Sequence, residues 1–444
     1  MAVLELVAGI ACALLVIGLI LKAMNTGFGD WKEAAATFIG IMIVGSVLIV
    51  VVGNIDYSGS PYGNPIEEPG EEEPDWIYIQ SEDGCGTIEE AGDYQMNFSA
   101  DGQMFSDDKC FQLTANNIRF SCAGNVIDGD GAGTAISITG DNVTVEDCNF
   151  TDLDVGIFTL GADNFTLRRN NYYDFVEDVA SFGVYAISIT EPHAYGRVQT
   201  SNFTGTDFNA ISFDGDAPWI GVGIADNRIE IDDGVGEIGG IICDMCVAGS
   251  IVRNTIHSPN GMTAGIQVTS GAATLDIRNN NILRAENGLL VMESSEVVVY
   301  NNTISSAVSY GIYAWDIPDS YIQFNNISLA GVGLQMDYTD FVNVTDNIFS
   351  QLTIDGIQLY ETTDSWFLRN TVSEAGRYGI YTIPVNGVGP SEDNTFTDNS
   401  VTASVTTDFM CGDNSLDQNV DGGGNICGTA HANCGWLVSC PGIP

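Results

Sequence analysis

Chemistry needs particular side chains at particular spacings, and in this 444-residue chain the abundant ones are carboxylates, 59 Asp and Glu against 13 Lys and Arg. Hydrolysis of a glycosidic bond takes two flanking carboxylates, and a calcium-assisted elimination takes acids that hold the ion plus an Arg or Lys base. Acids are so plentiful that a neighbouring pair such as Asp232-Asp233 selects nothing. The three histidines, His193, His257 and His431, are scattered. Arg228, Arg253, Arg278 and Arg369 flank recurring sequence marks described below and are expected to pair with neighbouring Asp or Glu. Glycine-spaced oxygens occur at Asp128-Gly129-Asp130-Gly131 and from Asp413 to Asn425. They leave calcium open as a ligand, although neither completes a twelve-residue loop ending in Glu. Cys243 and Cys246 form a CxxC, but the thioredoxin-like βαβ setting that makes such a pair redox-active is missing.

A formal charge of −46 repels phosphate backbones and anionic lipid faces, which excludes nucleic acid as a partner. With 45% apolar residues, 51 Gly and only 12 Pro, the chain is composed like a folded protein and can bury a large core. Charge is uneven: residues 1–54 hold only Lys22, Lys32, Glu5, Asp30 and Glu33, and beyond them Lys109 is the only lysine. That bias suits either a halophilic, archaeal source or an ordinary acidic extracellular protein.

Residues 2–24 and 31–53 are apolar runs of 23 residues each. As helices they would be about 34 Å long, enough for a hydrocarbon layer of roughly 30 Å. Asn25, Gly27 and Gly29 supply a helix stop, and Asp30 with Glu33 a capping-box start, so residues 1–53 are expected to form a hydrophobic α-helical hairpin. Lys22 and Lys32 flank the loop and place it in the cytoplasm, with everything after Asn54 outside. MAVLELV, with Met1 and Glu5, resembles the start of a mature type IV pilin, which implies a processed end and packing of apolar helices in a fibre core. Residues 54–76, rich in Pro and Glu, read as an extended stalk.

From residue 77 to 405 a polar residue followed two places later by an apolar one recurs at Asn125, Cys148, Asn170, Ser201, Asn227, Asn254, Asn280, Asn302, Asn325, Asp346, Asn370 and Asn399. A Gly-Ile or Gly-Leu often follows, at Gly156, Gly265, Gly288, Gly311, Gly333, Gly356 and Gly379. Asn and Gly are read as turn residues between short period-2 strands such as GIQVTS and GIQLYE. One such unit is a rung, and about twelve make an all-β, single-stranded, right-handed parallel β-helix. The entry segment CGTIEEAGDYQMNF, then CFQLTANNIRFSCAGNVIDGDG, resembles the cap and first rungs of the right-handed β-helix repeat family that includes pectate lyases and NosD-type surface proteins. The family's hydrolase signatures (NTD, DD, GHG and RIK, in order) are absent, and no histidine lies between glycines.

Ten of the eleven cysteines lie beyond residue 54, an even number that suits disulfides in an oxidising compartment. Cys122 and Cys148 fall about one rung apart, Cys85 and Cys110 bracket the cap, and Cys243 and Cys246 share a rung. Cys411, Cys427, Cys434 and Cys440 crowd a Gly-rich tail at 406–444 that is expected to cap the open end; zinc with His431 is the alternative there, but the spacing matches no finger. Eight N-glycosylation acceptors stand at Asn97, Asn142, Asn149, Asn164, Asn202, Asn301, Asn326 and Asn343. These observations lead to the expectation of a non-enzymatic structural or adhesive protein of a cell or virion surface, anchored and self-assembling through residues 1–53 in a membrane or an apolar assembly core, and forming a filament, coat or shell. No catalytic residue, bound metal or cofactor is expected, and surface glycans are candidate ligands. The alternative is a tethered β-helix that binds or degrades polysaccharide.

Overall fold

The computed structural model describes residues 74–81, 84–106, 108–173, 175, 185–190, 195–206, 209–213, 218–232, 239–383, 391–411, 419–430 and 434. The expected helical hairpin and the stalk up to residue 73 lie outside these residues. Among the described residues no helix is long and apolar enough to cross a membrane. The chain divides into two compact units, and every described strand belongs to the unit Asp75–Pro444.

Each circuit of that unit lays down three short strands. Tyr321–Gln323, Asn326–Ser328 and Val332–Asp337 make one circuit, and Asn343–Thr345, Ile348–Leu352 and Ile357–Tyr360 make the next. Every strand pairs in parallel with its counterpart one circuit on, as in Ile322↔Val344, Ile327↔Phe349 and Leu334↔Ile357. Apart from the short pair Trp219–Ile220 and Cys246–Val247, the described strands therefore form three faces. The first is a 15-stranded sheet, and the second and third are joined in a 25-stranded sheet by the long strands Thr255–Thr269 and Asn281–Met292, which pair on both faces. This is a parallel β-helix of about 12 turns.

Alternation along each strand sends one set of side chains inward, and parallel stacking puts like on like. Ile229, Ile256, Ile282, Ile304 and Ile327 form one inward column on the second face. Phe150, Tyr172 and Phe203 form another, with ring centroids 5.0 and 4.6 Å apart. Each such side chain contributes about 1.5–3 kcal/mol by leaving water.

The corner between the first and second faces follows a fixed recipe: a residue in the left-handed region, then a buried polar one. Asp226, Arg253, Asn279, Asn301, Phe324, Asp346, Arg369 and Asp398 all have φ between 51° and 58°. The next residue in each case is a buried asparagine: Asn227, Asn254, Asn280, Asn302, Asn325, Asn347, Asn370 and Asn399. Each asparagine Oδ1 accepts the backbone N–H of its predecessor one rung back, as in Asn302 N to Asn325 Oδ1 at 2.9 Å, and each Nδ2 donates to a buried carbonyl, as in Asn325 to Val299 at 2.9 Å. One sequence mark is corrected by this geometry. The ladder residue after Asn325 is Asn347, not Asp346; Asp346 supplies the left-handed bend before it and pairs with Arg369 at 2.6 Å. Asp and Asn tolerate that bend because their short side chains bond locally, so the two adjacent positions look alike in sequence.

The glycines also differ from expectation. Gly288 and Gly311 lie inside strands of the third face rather than at turns. A Cβ on Gly311 would sit 2.4 Å from Ile327 Cγ2 and 2.6 Å from the Gly333 carbonyl, so lack of space rather than backbone freedom demands glycine there.

Four disulfides join described residues: Cys85–Cys110, Cys122–Cys148, Cys243–Cys246 and Cys411–Cys434. Cys427 is also disulfide-bonded, and Cys440 lies outside the described residues.

Candidate functional site

On the third face the outward positions two and four residues after each column glycine form two parallel rows. The register Leu290↔Tyr313↔Gln335↔Gln358↔Tyr381 defines one, and Met292↔Trp315↔Asp337↔Tyr360 the other. Inward neighbours Ile312, Ala314, Leu334, Met336, Ile357 and Leu359 are fully buried, and they fix the pleat that turns these rows outward. Asp337 thus stands between Trp315 and Tyr360 on adjacent rungs, with half-buried aromatic rings on both sides.

Four acids are buried among the described residues, and their partners set Asp337 apart. Glu146 is bonded to Arg119, Arg168 and Arg169, and Asp355 to Arg377. Asp408 accepts backbone N–H groups of Ser404, Gly428 and Thr429. Asp337, only 8% exposed, has neither cation nor backbone donor. It accepts the Tyr313 hydroxyl at 2.8 Å and the Gln335 amide at 3.1 and 2.9 Å. Burial pushes its carboxyl above the usual aspartate value, and the bonds from Gln335 and Tyr313 only partly offset that. Tyr313 is pushed well above the ordinary phenol value, first by burial and then by its bond to Asp337, so it remains a proton donor. Tyr310 and Tyr360 are raised too, by burial first and then by the Asp337 charge.

Beside these rows lies a second cluster. Asp355 accepts Arg377 Nε and Tyr378 N–H, both at 2.9 Å, and bonds to Gln358. The Arg377 guanidinium sits over the rings of Tyr378 and Tyr381, 4.9 and 5.5 Å from their centroids. Stacked aromatic rings with amides and a guanidinium between them are the surface a sugar chain recognises, since C–H faces of pyranoses pack on rings while hydroxyls bond the polar groups.

None of these residues was singled out in sequence, because acids were too common to rank one by one. The available signal was positional: in GIYAW, GLQMD and GIQLY the second and fourth residues after glycine are aromatic, amide or acid, as is the second in GIYTI, whereas a plain outward face would carry Ser and Thr.

The sites that were singled out are dispersed. His257 Nδ1 lies 4.0 Å from Glu230 Oε1. Asp128 Oδ1 accepts the Asp130 N–H at 3.1 Å and closes a turn. Asp233, His193, His431 and residues 413–418 lie outside the described residues, and among the described residues no three His, Cys, Asp or Glu side chains converge on a metal position. Arg228 pairs with Glu230, Arg253 with Asp226 and Arg278 with Asp276, at 2.7, 2.7 and 3.1 Å. Of the eight sequon asparagines, Asn97, Asn142, Asn164, Asn202, Asn301 and Asn326 are exposed, and Asn149 and Asn343 are half-buried.

Residues 239–433 match the family model described as the right-handed β-helix region, which spans the aromatic face. The sequence matches no curated protein. Among solved structures, the chain is similar to the A-module of a mannuronan C-5 epimerase of Azotobacter vinelandii, with 14% identity, a TM-score of 0.47, and coverage of 78% of this chain and 91% of that one. It is also similar to the catalytic unit of an α-1,3-glucanase from Streptomyces thermodiastaticus, with 13% identity, a TM-score of 0.48, and coverage of 81% and 65%. A third is DFA-IIIase from Arthrobacter chlorophenolicus, with 10% identity, a TM-score of 0.43, and coverage of 66% and 83%. At these identities the likeness is one of fold. The functional expectation differs from what these structures are. A non-enzymatic structural or adhesive protein without chemistry was expected, and the structures the chain is similar to are enzymes.

Proposed function

We propose that this right-handed parallel β-helix is a polysaccharide-acting enzyme whose glycan lies along the aromatic third face, with Asp337 as its proton-transfer residue. The observation that carries the reading is the environment of Asp337, a buried carboxylate held only by two neutral side chains between Trp315 and Tyr360. A structural acid in this fold is locked by arginine or backbone, as Glu146, Asp355 and Asp408 are. One held by a phenol and an amide can exchange those bonds for bonds to a substrate.

The geometry favours elimination over hydrolysis. Hydrolysis by two carboxylates needs both around one bond, less than roughly 10 Å apart. Asp355, one rung on, is the other buried acid beside these rows, and its carboxylate is bonded to Gln358. It is also held by Arg377. Elimination needs one base and one acid. The Asp337 carboxylate takes a proton from an acidified sugar carbon, and its loss of charge releases the Tyr313 hydroxyl, whose proton goes to the departing glycosidic oxygen. The C–H and C–O bonds break, a C=C bond forms, and the Tyr313 oxygen recovers its proton from Asp337. The base is thereby restored. Burial that raises Asp337 brings its basicity nearer to the task.

The test is turnover of a panel of neutral and uronate-containing polysaccharides, read as new reducing ends and as ultraviolet absorbance of a new double bond. Asp337→Asn should lose about 10²- to 10⁴-fold in rate. Tyr313→Phe removes a bond that lowers the Asp337 value, so the acidic limb of the pH–rate profile should move up. Turnover unaffected by Asp337→Asn, or no turnover across the panel, would refute the assignment.

A further inference from the structure

The first face changes character partway along the rod. Between Thr144 and Arg278 its outward positions carry no aromatic ring, and Arg197, Gln199, Ser250 and Asp276 are typical of them. Over the next four rungs they become Val298 and Tyr300, Tyr321 and Gln323, Asn343 and Thr345, then Trp366 and Leu368. One rung further on they are Thr395 and Thr397, and the rings have gone.

The corners on either side change at the same rungs. Left-handed residues before the face are Glu296, Asp319, Phe341 and Asp364, and those after it are Asn301, Phe324, Asp346 and Arg369. Such a bend suits a short polar side chain that bonds locally and disfavours a bulky ring, so each phenylalanine stands against the local preference. Burial does not compensate. Phe324, Phe341 and Tyr321 are each 47% exposed and Trp366 is 46% exposed. Phe324 meets Tyr300 edge to face, with ring centroids 5.3 Å apart. Rings that strain a corner and remain in water point to something that covers them.

Their order selects the occupant. In register, Tyr321↔Asn343↔Trp366 runs ring, amide, ring, and Tyr300↔Gln323↔Thr345 runs ring, amide, hydroxyl. Tyr321 and Trp366 thus stand two rungs apart, or roughly 9.6 Å at ~4.8 Å per rung. An extended β-linked glycan whose alternate pyranoses are flipped advances by about one rung per sugar. Every second sugar then offers the same C–H face to a ring, and the sugar between offers hydroxyls to an amide. The Asn343 oxygen takes the Thr345 hydroxyl, while the Asn343 Nδ2 and the Gln323 amide make no hydrogen bond to other described residues. A protein partner would favour an apolar centre without amides between the rings. Charge narrows the choice, because Glu296, Asp319 and Asp364 line one border and Arg369 on the other is already paired with Asp346. An anionic polymer is repelled there.

We propose that this patch is a non-catalytic binding surface for an extended, neutral, β-linked polysaccharide, separate from the third face. It holds whether or not Asp337 turns over a substrate.

The full chain carrying Asp337→Asn, so that no probe is consumed, and produced without N-glycans, so that Asn343 is unmodified, is titrated calorimetrically with cellohexaose, mannohexaose, maltohexaose and hexagalacturonate. At least one of the extended neutral chains, cellohexaose or mannohexaose, should bind, with the coiled maltohexaose and the anionic hexagalacturonate at least tenfold weaker at the same site. Tyr321→Ala and Trp366→Ala should each weaken that site at least tenfold, and Tyr195→Ala, an exposed ring nearer the N-terminal end, should leave it as it was. Phe324→Asn restores the side chain that the bend prefers, so binding should weaken at least threefold while the melting midpoint does not fall. Melting curves of the alanine variants separate lost binding from lost folding, and Phe324→Asn decides if either unfolds. The proposal is overturned if neither extended chain binds, if every site keeps parental affinity in the Tyr321 or the Trp366 variant, or if maltohexaose or hexagalacturonate binds as tightly. Sedimentation showing a dimer that the same substitutions dissolve would overturn it too, because a second copy would then be what covers the rings.

Discussion

At the scale of single residues, Asp337 is placed where it costs the fold something and serves a purpose. Burial raises its carboxyl, so the folded chain keeps a proton at pH values where the unfolded chain, with aspartate near ~3.9, has released it. Folding stability from this group therefore falls as pH climbs from the unfolded value through the raised folded one, and stays lower above it. Asp337→Asn, which cannot ionise, should remove that fall. Calorimetric melts at pH 4 and pH 7 should show the variant's stability relative to wild type increasing with pH, although its turnover is lost. A relative stability that decreases with pH would mean a cation stabilises the charged form. The sequons divide on the same grounds. Asn149 and Asn343 are half-buried, and the Asn343 oxygen is engaged by Thr345. Any glycan mapped by mass spectrometry should sit on the six exposed acceptors, and high occupancy of Asn149 would contradict the placement.

At the scale of the repeating element, the corner asparagine does more than the turn it was read as. Asn347 is fully buried, its Oδ1 accepts both Asn325 N–H groups near 2.9 Å, and its Nδ2 bonds the Ile322 carbonyl at 2.7 Å. Asn347→Ala would strand a buried backbone donor, a side-chain donor and a carbonyl, and should destabilise by about 2–4 kcal/mol. Asp346→Ala, one position earlier, loses a partly exposed pairing with Arg369 and the local bonding that eases a left-handed bend, and should cost about 1 kcal/mol, less than Asn347→Ala. Equal losses would mean that the ladder does not carry the corner. This pair also shows what sequence could and could not disclose. Period, parallel stacking and inward isoleucines were legible because burial imposes them at every rung. Asp346 and Asn347 were confused because both are acceptable in a left-handed corner, and only depth tells them apart. The site stayed hidden for a related reason. Tyr313, Trp315, Asp337 and Tyr360 become neighbours through register between strands more than twenty residues apart, and no local pattern marks one aspartate among so many acids.

At the scale of the whole β-helix, disulfides and the asparagine ladder divide the work of holding rungs together. The ladder is unbroken from Asn227 through Asn399 to Asn425, each Oδ1 taking a backbone N–H from the rung before. Nearer the N-terminal end it is interrupted: Cys148 and Ser201 occupy ladder positions, and there Cys122–Cys148 and Cys85–Cys110 tie adjacent rungs covalently. At the other end Cys411–Cys434 does the same, while from 254 to 370 no described bridge is present. Terminal rungs have a neighbour on one side only, so they lose half the stacking that supports a central rung, and a bridge worth about 2–4 kcal/mol restores part of it. Reduction should therefore open the ends first and leave the ladder-held middle folded. Limited proteolysis after reduction should cut within 77–148 and 405–444 before any site between Asn254 and Asn370, and turnover dependent on Asp337 should outlast the first cuts because its rung lies inside the ladder. First cuts between Asn254 and Asn370 would show that stacked amides alone cannot hold the central rungs and that the bridges act on the molecule as a whole.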